Sequence, residues 1–125
     1  GRQVAARLET LGRDVCLIDR SPLNLYEFAQ QGFRTVSGDA TDVAVLQHAG
    51  APSAELVVIC IPDDTAAIAT ATLLRSLNRS ALLVVRCRYR ANELALRQAG
   101  VDLVVSEENQ ASLELLRHLD RLLRV

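Results

Sequence analysis

Apolar and polar positions along the chain alternate between two rhythms. From residue 2 to 12, Val4, Ala5, Leu8 and Leu11 recur at helical spacing, and the pattern stops at Gly12. "DVCLID" is a short apolar run bounded by charge and predicts a strand. "SPLNLYEFAQQG" predicts a helix with Ser21 as N-cap, Pro22 at its first position and Gly32 at its end. "RTVSGD" predicts a strand, and "ATDVAVLQHAG" a short helix that starts after Thr41 or Asp42 and closes on Gly50. "AELVVICIP" is apolar throughout, the pattern of a strand buried on both faces. "DDTAAIATATLLRSLN" predicts a helix whose first-turn acids suit the positive end of its dipole. "ALLVVRCR" predicts a second buried strand, "YRANELALRQAG" a helix closing on Gly100, and "VDLVVSE" a strand. The last stretch, "NQASLELLRHLDRLLRV", predicts a helix with Leu113, Leu116, Leu119 and Leu123 on one stripe, widened by Leu115 and Leu122.

The order is one helix followed by five strand–helix pairs. Regular β/α alternation with short connections predicts a single α/β domain over residues 1–125, a doubly wound parallel sheet with helices on both faces. In a Rossmann-like sheet of this kind the first strand is central and the ligand binds at the switch point beside it. One further strand before Gly1 would complete six strands and six helices. The expectation is therefore an N-terminally truncated Rossmann-like domain, lacking its first strand and most of its Gly-rich loop. The absence of Met anywhere in the chain agrees with this.

Gly1 then has two readings, a trimmed end or tag remnant, or the third glycine of a G-x-G-x-x-G loop. In the second, Asp19 falls roughly 20 residues after the first glycine, where the fingerprint carries its acid. A carboxylate there accepts two hydrogen bonds from ribose hydroxyls and repels a 2′-phosphate, favouring NAD or an adenine nucleotide over NADP. Arg20 works against that exclusion. The alternative for Asp19 is a solvated strand end or a helix N-cap.

Composition removes several classes. With 14 basic and 15 acidic residues the net charge is -1, which offers no footprint for nucleic acid or an anionic membrane. No apolar run approaches the roughly 18 residues that span a bilayer. All 14 cations are Arg, so Schiff-base and Lys-dependent proton chemistry are excluded. Cys16, Cys60 and Cys87 sit in apolar runs without metal-ligand spacing, and predict buried, reduced thiols rather than a disulfide or zinc site.

"VSGDATDVAVLQHAG", a strand ending in Gly38-Asp39-Ala40-Thr41 and then a short helix closing on Ala49-Gly50, resembles the RCK/KTN (TrkA-N type) domains of potassium channels and transporters. "ICIPDD" and "VVRCRYRANELALRQAGVDLVVSEE" resemble the family's later strands, and "LRQAGVD" is closest in wording to the Kef-type potassium/proton antiporters. The resemblance covers essentially the whole chain. It implies a cytoplasmic ligand-sensing domain that binds NAD(H) or an adenine nucleotide (AMP, ADP or ATP). Its partner would be a membrane-embedded cation channel, transporter or antiporter of the inner or plasma membrane, and it would act as a homodimer through the final helix. Nucleic-acid binding and direct membrane insertion are not expected. The implied binding residues are Gly1, Asp19, Arg20, Asp39, Ala40, Thr41 and Arg86, with Asp19 on the adenosine ribose and Asp39, Ala40 and Thr41 at the adenine end.

Each of these has a plainer reading beside it. Asp39 and Thr41 also fit turn and N-cap chemistry. Arg86 and Arg88 fall at period two on one predicted strand face; Arg86 is the better candidate to reach phosphate or a neighbouring subunit, and its plainer reading is an ion pair with a carboxylate such as Asp63 or Asp64. The chain departs from the family pattern in two places. Ile68 or a neighbour stands where the family often has Asn, and Ser106-Glu107-Glu108 lacks the proline of the family's corner.

A small NAD-dependent oxidoreductase is the rival reading. It lacks room for a substrate domain, and a Tyr-x-x-x-Lys pair is impossible without Lys. His48 and His118 have no sequence partner for proton transfer, and no metal-ligand cluster is visible. A methyltransferase would need a final antiparallel strand that has no counterpart here. The expectation is a non-enzymatic sensor.

Overall fold

The computed structural model describes residues 14–19, 25–26, 30, 34–37, 40–108, 115, 117–118 and 121. Gly1, Arg20 and Asp39 lie outside the described residues. Among the described residues five strands are formed: β1 (Val15–Ile18), β2 (Arg34–Val36), β3 (Leu56–Ile59), β4 (Leu82–Cys87) and β5 (Leu103–Ser106). Among the same residues the helices α1 (Val43–His48), α2 (Asp64–Leu77) and α3 (Glu93–Gln98) join them, with single 3₁₀ turns at Ala51–Ser53 and Arg90–Asn92. The sheet is parallel throughout, in the order β2-β1-β3-β4-β5. Leu25, Tyr26 and Gln30 are helical within the stretch predicted over 21–32, as are Leu115, Arg117, His118 and Arg121 near the end.

Period two separates the two faces of the sheet. Cys16 and Ile18, Val57 and Ile59, and Leu83, Val85 and Cys87 point to one side. There they form the main core with Leu46 of α1, Ala67, Ala71 and Leu74 of α2, and Leu96 of α3. Val15 and Leu17, with Leu56 and Val58, point to the other side and pack with Leu25. Every residue of β1 and β3 is buried, as an apolar run without alternation predicts. β4 differs. It alternates, with Leu82 and Arg86 exposed, so it is buried on the α2 side only.

β1 and β3 are neighbours in the sheet. The two pair directly, Val15 with Leu56 through Ile18 with Ile59, and the Cys60 N–H donates to the Ile18 carbonyl at 2.8 Å. The reason is backbone satisfaction: two central strands cannot leave a row of buried N–H and C=O groups unpaired.

The amino end of the sheet is tied by two side chains of the α2 terminus. Asn78 is buried and donates to the Ala51 and Ala54 carbonyls at 3.0 and 2.9 Å, while its own carbonyl accepts from Ala81 N–H at 3.0 Å. Arg75 donates to the carbonyls of Gly100, at 2.7 Å, and Ala81, at 2.8 Å, and pairs with Asp102 at 2.9 Å. Gly100 ends α3 at φ 98°, a left-handed conformation that side chains disfavour, and a Cβ there would press on the Arg75 stem.

Asn78→Ala removes the amide donors to the buried Ala51 and Ala54 carbonyls and the acceptor of the Ser80 and Ala81 N–H groups. We expect a loss of about 2 kcal/mol, read as a lower urea midpoint at unchanged m-value.

Candidate functional site

In an open parallel sheet, ligands bind outside the carboxyl ends of the strands where the chain connections diverge. Here that point lies between β1 and β3. The chain leaves β1 toward β2 on one side, and leaves β3 toward β4 on the other. One residue beyond the paired strand ends, Asp19 follows β1 and Cys60 follows β3, both level with Arg86 on β4. All three continue the face of Val15, Leu17, Leu56, Val58 and Val84, so they form a row on one side of the sheet. Two strand spacings separate Asp19 from Arg86, roughly 10 Å. The row is also linked electrostatically at Cys60. Burial raises its thiol pKa, the Arg86 guanidinium lowers it and the Asp19 carboxylate raises it.

Asp19 is half-buried and its N–H donates to the Val36 carbonyl at 3.0 Å, which holds the β1 end against β2. Ala40 is buried in the main core, packed with Val36, Leu46 and Ala51, and Thr41 is exposed in the following turn. Asp42 is the N-cap of α1, its carboxylate accepting from Ala44 N–H at 2.9 Å. That resolves the two starts the pattern left open for this helix.

Arg86 does pair with a carboxylate, but not with Asp63 or Asp64. Its Nη2 lies 2.9 Å from Oε1 of Glu107, just past β5, with both side chains about half exposed. The two acids after β3 are turned the other way by α2. Asp63 caps that helix, accepting from Thr65 N–H at 2.8 Å and Ala66 N–H at 3.3 Å. Nor do Arg86 and Arg88 share a face. β4 ends at Cys87, and Arg88 passes to the α2 side, where it lines an open cleft of about 440 Å³ with Asp63, Asp64, Tyr89 and Asn92.

What turns the chain there is Asp64, which the sequence offers as a first-turn acid and as a possible partner of Arg86. Its carboxylate is buried and accepts from Arg88 N–H at 2.7 Å, Tyr89 N–H at 3.1 Å and Asn92 Nδ2 at 2.6 Å. Burial pushes its pKa up, but the hydrogen bonds from Arg88, Asn92 and Tyr89 outweigh it and the net shift is downward. Glu108 holds the same loop from the β5 side, accepting from Arg90 N–H at 3.2 Å. An Asp at N1 followed by Asn92 28 residues later carries no local signal; only the fold brings them together.

The three cysteines are free; Cys16 and Cys87 are buried and Cys60 partly so. Burial raises all three thiols, Cys16 to about 11, so they are protonated near neutrality. His48 and His118 are exposed. Among the described residues, no group of His, Cys, Asp and Glu is arranged to hold a metal, and no helix is long and apolar enough to cross a membrane.

The parallel sheet, its helices and the switch-point row define a Rossmann-like α/β domain. The chain belongs to the TrkA-N domain family, whose profile matches residues 1–107. Its relatives include the glutathione-regulated potassium-efflux system protein KefC of Salmonella paratyphi B and Salmonella newport. The chain is 28% identical to each over 113 residues, covering 90% of this chain and 18% of the relative. It thus spans under a fifth of the length of those relatives, and is related to regulators of potassium transport. Among solved structures, the TrkA-N domain of inner membrane protein ybaL from Escherichia coli superposes with a TM-score of 0.77 at 22% identity, over 95% of this chain and 88% of that one. The NAD(P)-binding domain of an exopolyphosphatase-related protein from Archaeoglobus fulgidus gives 0.70 at 21% identity, over 97% and 90%. The GsuK RCK domain gives 0.60 at 23% identity, over 74% of this chain and 25% of that one.

Asp64 ionises more readily in the folded state than unfolded, so its contribution is present above the ordinary Asp range, about pH 4, and is lost as pH falls below it. In Asp64→Asn an amide hydrogen faces one of the three donors. We expect a loss of about 2–3 kcal/mol at neutral pH, shrinking toward acid, measured by urea denaturation across a pH series.

Proposed function

We propose that this chain is a ligand-sensing, non-enzymatic domain. It binds NAD(H) or an adenine nucleotide at the β1/β3 switch point and regulates potassium or other monovalent cation transport. In this reading it sits on the cytoplasmic side of the membrane, attached to or associated with a channel, transporter or antiporter, and works as a homodimer. The observation that carries the reading is the row of Asp19, Cys60 and Arg86 at the carboxyl ends of β1, β3 and β4. An acid and a guanidinium roughly 10 Å apart suit the two ends of a nucleoside phosphate. Asp19 would accept from the ribose hydroxyls and Arg86 would meet phosphate oxygens.

The other implied residues fit around that axis. Thr41 is exposed beyond β2, where it can border the base, and buried Ala40 can offer only backbone. Gly1, Arg20 and Asp39 would complete the phosphate loop, the ribose contact and the adenine end. Family membership supports the transport context, and the Archaeoglobus fulgidus neighbour, an NAD(P)-binding domain, supports nucleotide binding in a domain of this fold. Regulation needs no catalytic group. A ligand that favours one of two arrangements shifts their balance by its differential affinity, typically about 1–3 kcal/mol.

Calorimetry with NADH, NAD, AMP and ATP tests the reading. We expect binding by at least one of them, and Asp19→Ala to weaken it by about 10- to 100-fold, the loss of charge-assisted hydrogen bonds. Absence of binding by all four, or unchanged affinity in Asp19→Ala, overturns it.

A further inference from the structure

Arg86 and Glu107 meet at the carboxyl edge of β4 and β5. The parallel register sets Arg86 beside Val105, two residues before Glu107 in the chain. The guanidinium reaches up to it at 2.9 Å, and both side chains remain about half exposed. The pair therefore stands in solvent at one end of the switch-point row, two strands from Asp19. Exposed ion pairs of this kind contribute little to folding stability. This one nevertheless occupies the cation that the row presents to an anionic ligand.

We propose that Glu107 is a built-in competitor for the phosphate of the ligand, so that binding requires the Arg86–Glu107 pair to open. The proposal rests on the nucleotide reading above and adds a regulatory contact to it. Two chemical facts favour exchange over permanent closure. A guanidinium carries five donors in a planar fork and binds phosphate bidentately. The carboxylate is a single charge, with 44% of its side chain exposed to water and salt.

Opening the pair also has a structural consequence. Residues 107 and 108 begin the helical segment after β5. They are held by Glu107 to Arg86 and by Glu108 to the backbone of the β4–α3 loop, through Arg90 N–H and the Arg88 carbonyl. Phosphate at Arg86 removes the first tether and leaves the second. The start of that segment is thereby coupled to occupancy of the site.

The test is calorimetric titration of adenosine and ADP into the wild-type protein, Glu107→Gln, Arg86→Ala and the double variant, at low and high salt. Glu107→Gln should tighten ADP roughly two- to fivefold, the worth of an exposed pair, and leave adenosine unchanged. The gain should shrink at high salt. Arg86→Ala should weaken ADP alone, and Glu107→Gln should then have no further effect. Equal gains for adenosine and ADP, a gain that persists without Arg86, or no change for ADP each overturn the competitor. Loss of adenosine and ADP binding in Asp19→Ala, with no effect of Glu107→Gln, refutes the competitor and leaves the nucleotide site standing. If neither the wild type nor Glu107→Gln binds either ligand, both readings fall.

Discussion

The pairing of β1 with β3 is the constraint on which the rest of the molecule hangs. Both are four-residue strands with no polar face, and each satisfies its backbone only by lying inside the sheet. Once they are adjacent, helices must cover both faces, and the chain must diverge from their carboxyl ends in opposite directions. That divergence is the switch point, and it sets Asp19 beside Cys60. The location of the candidate site follows from burying two apolar strands before any binding chemistry is considered.

The two ends of the sheet are built differently. At the amino end Asn78 and Arg75 pair with main-chain carbonyls. The carboxyl end is held by carboxylates: Asp63 and Asp42 cap helices, Asp64 and Glu108 clamp the loop after β4, and Glu107 holds Arg86. Acids are apt there because strand ends and helix starts present N–H groups. Ordering this edge with side chains makes it the place where a charged ligand can exchange partners with the protein.

Much of this was legible beforehand. The breaks at Gly50 and Gly100, the N-terminal acids of α2 and the unbroken apolar run of β3 all recur in the structure, because each depends on neighbours a few residues apart. The doubly wound class followed from their order alone. β4 was misjudged as buried on both faces, since its apolar run does not reveal that Leu82 lies near solvent. Arg88 was placed on the face of Arg86, because period two holds only while the strand continues, and Asp64 draws the chain out of it after Cys87.

By itself the sequence determined the succession of strands and helices and the position of an acid at the end of the first strand. Hydrophobic period and capping chemistry are written in residues close along the chain, so they are readable there. Tertiary structure decided which groups meet: β1 with β3, Asp64 with Asn92, Arg86 with Glu107 rather than with Asp63 or Asp64. Those choices depend on strand order and register, which place side chains from distant segments level with one another. A charge on a one-dimensional chain names many partners of opposite sign, and only the register of the folded sheet leaves one within reach.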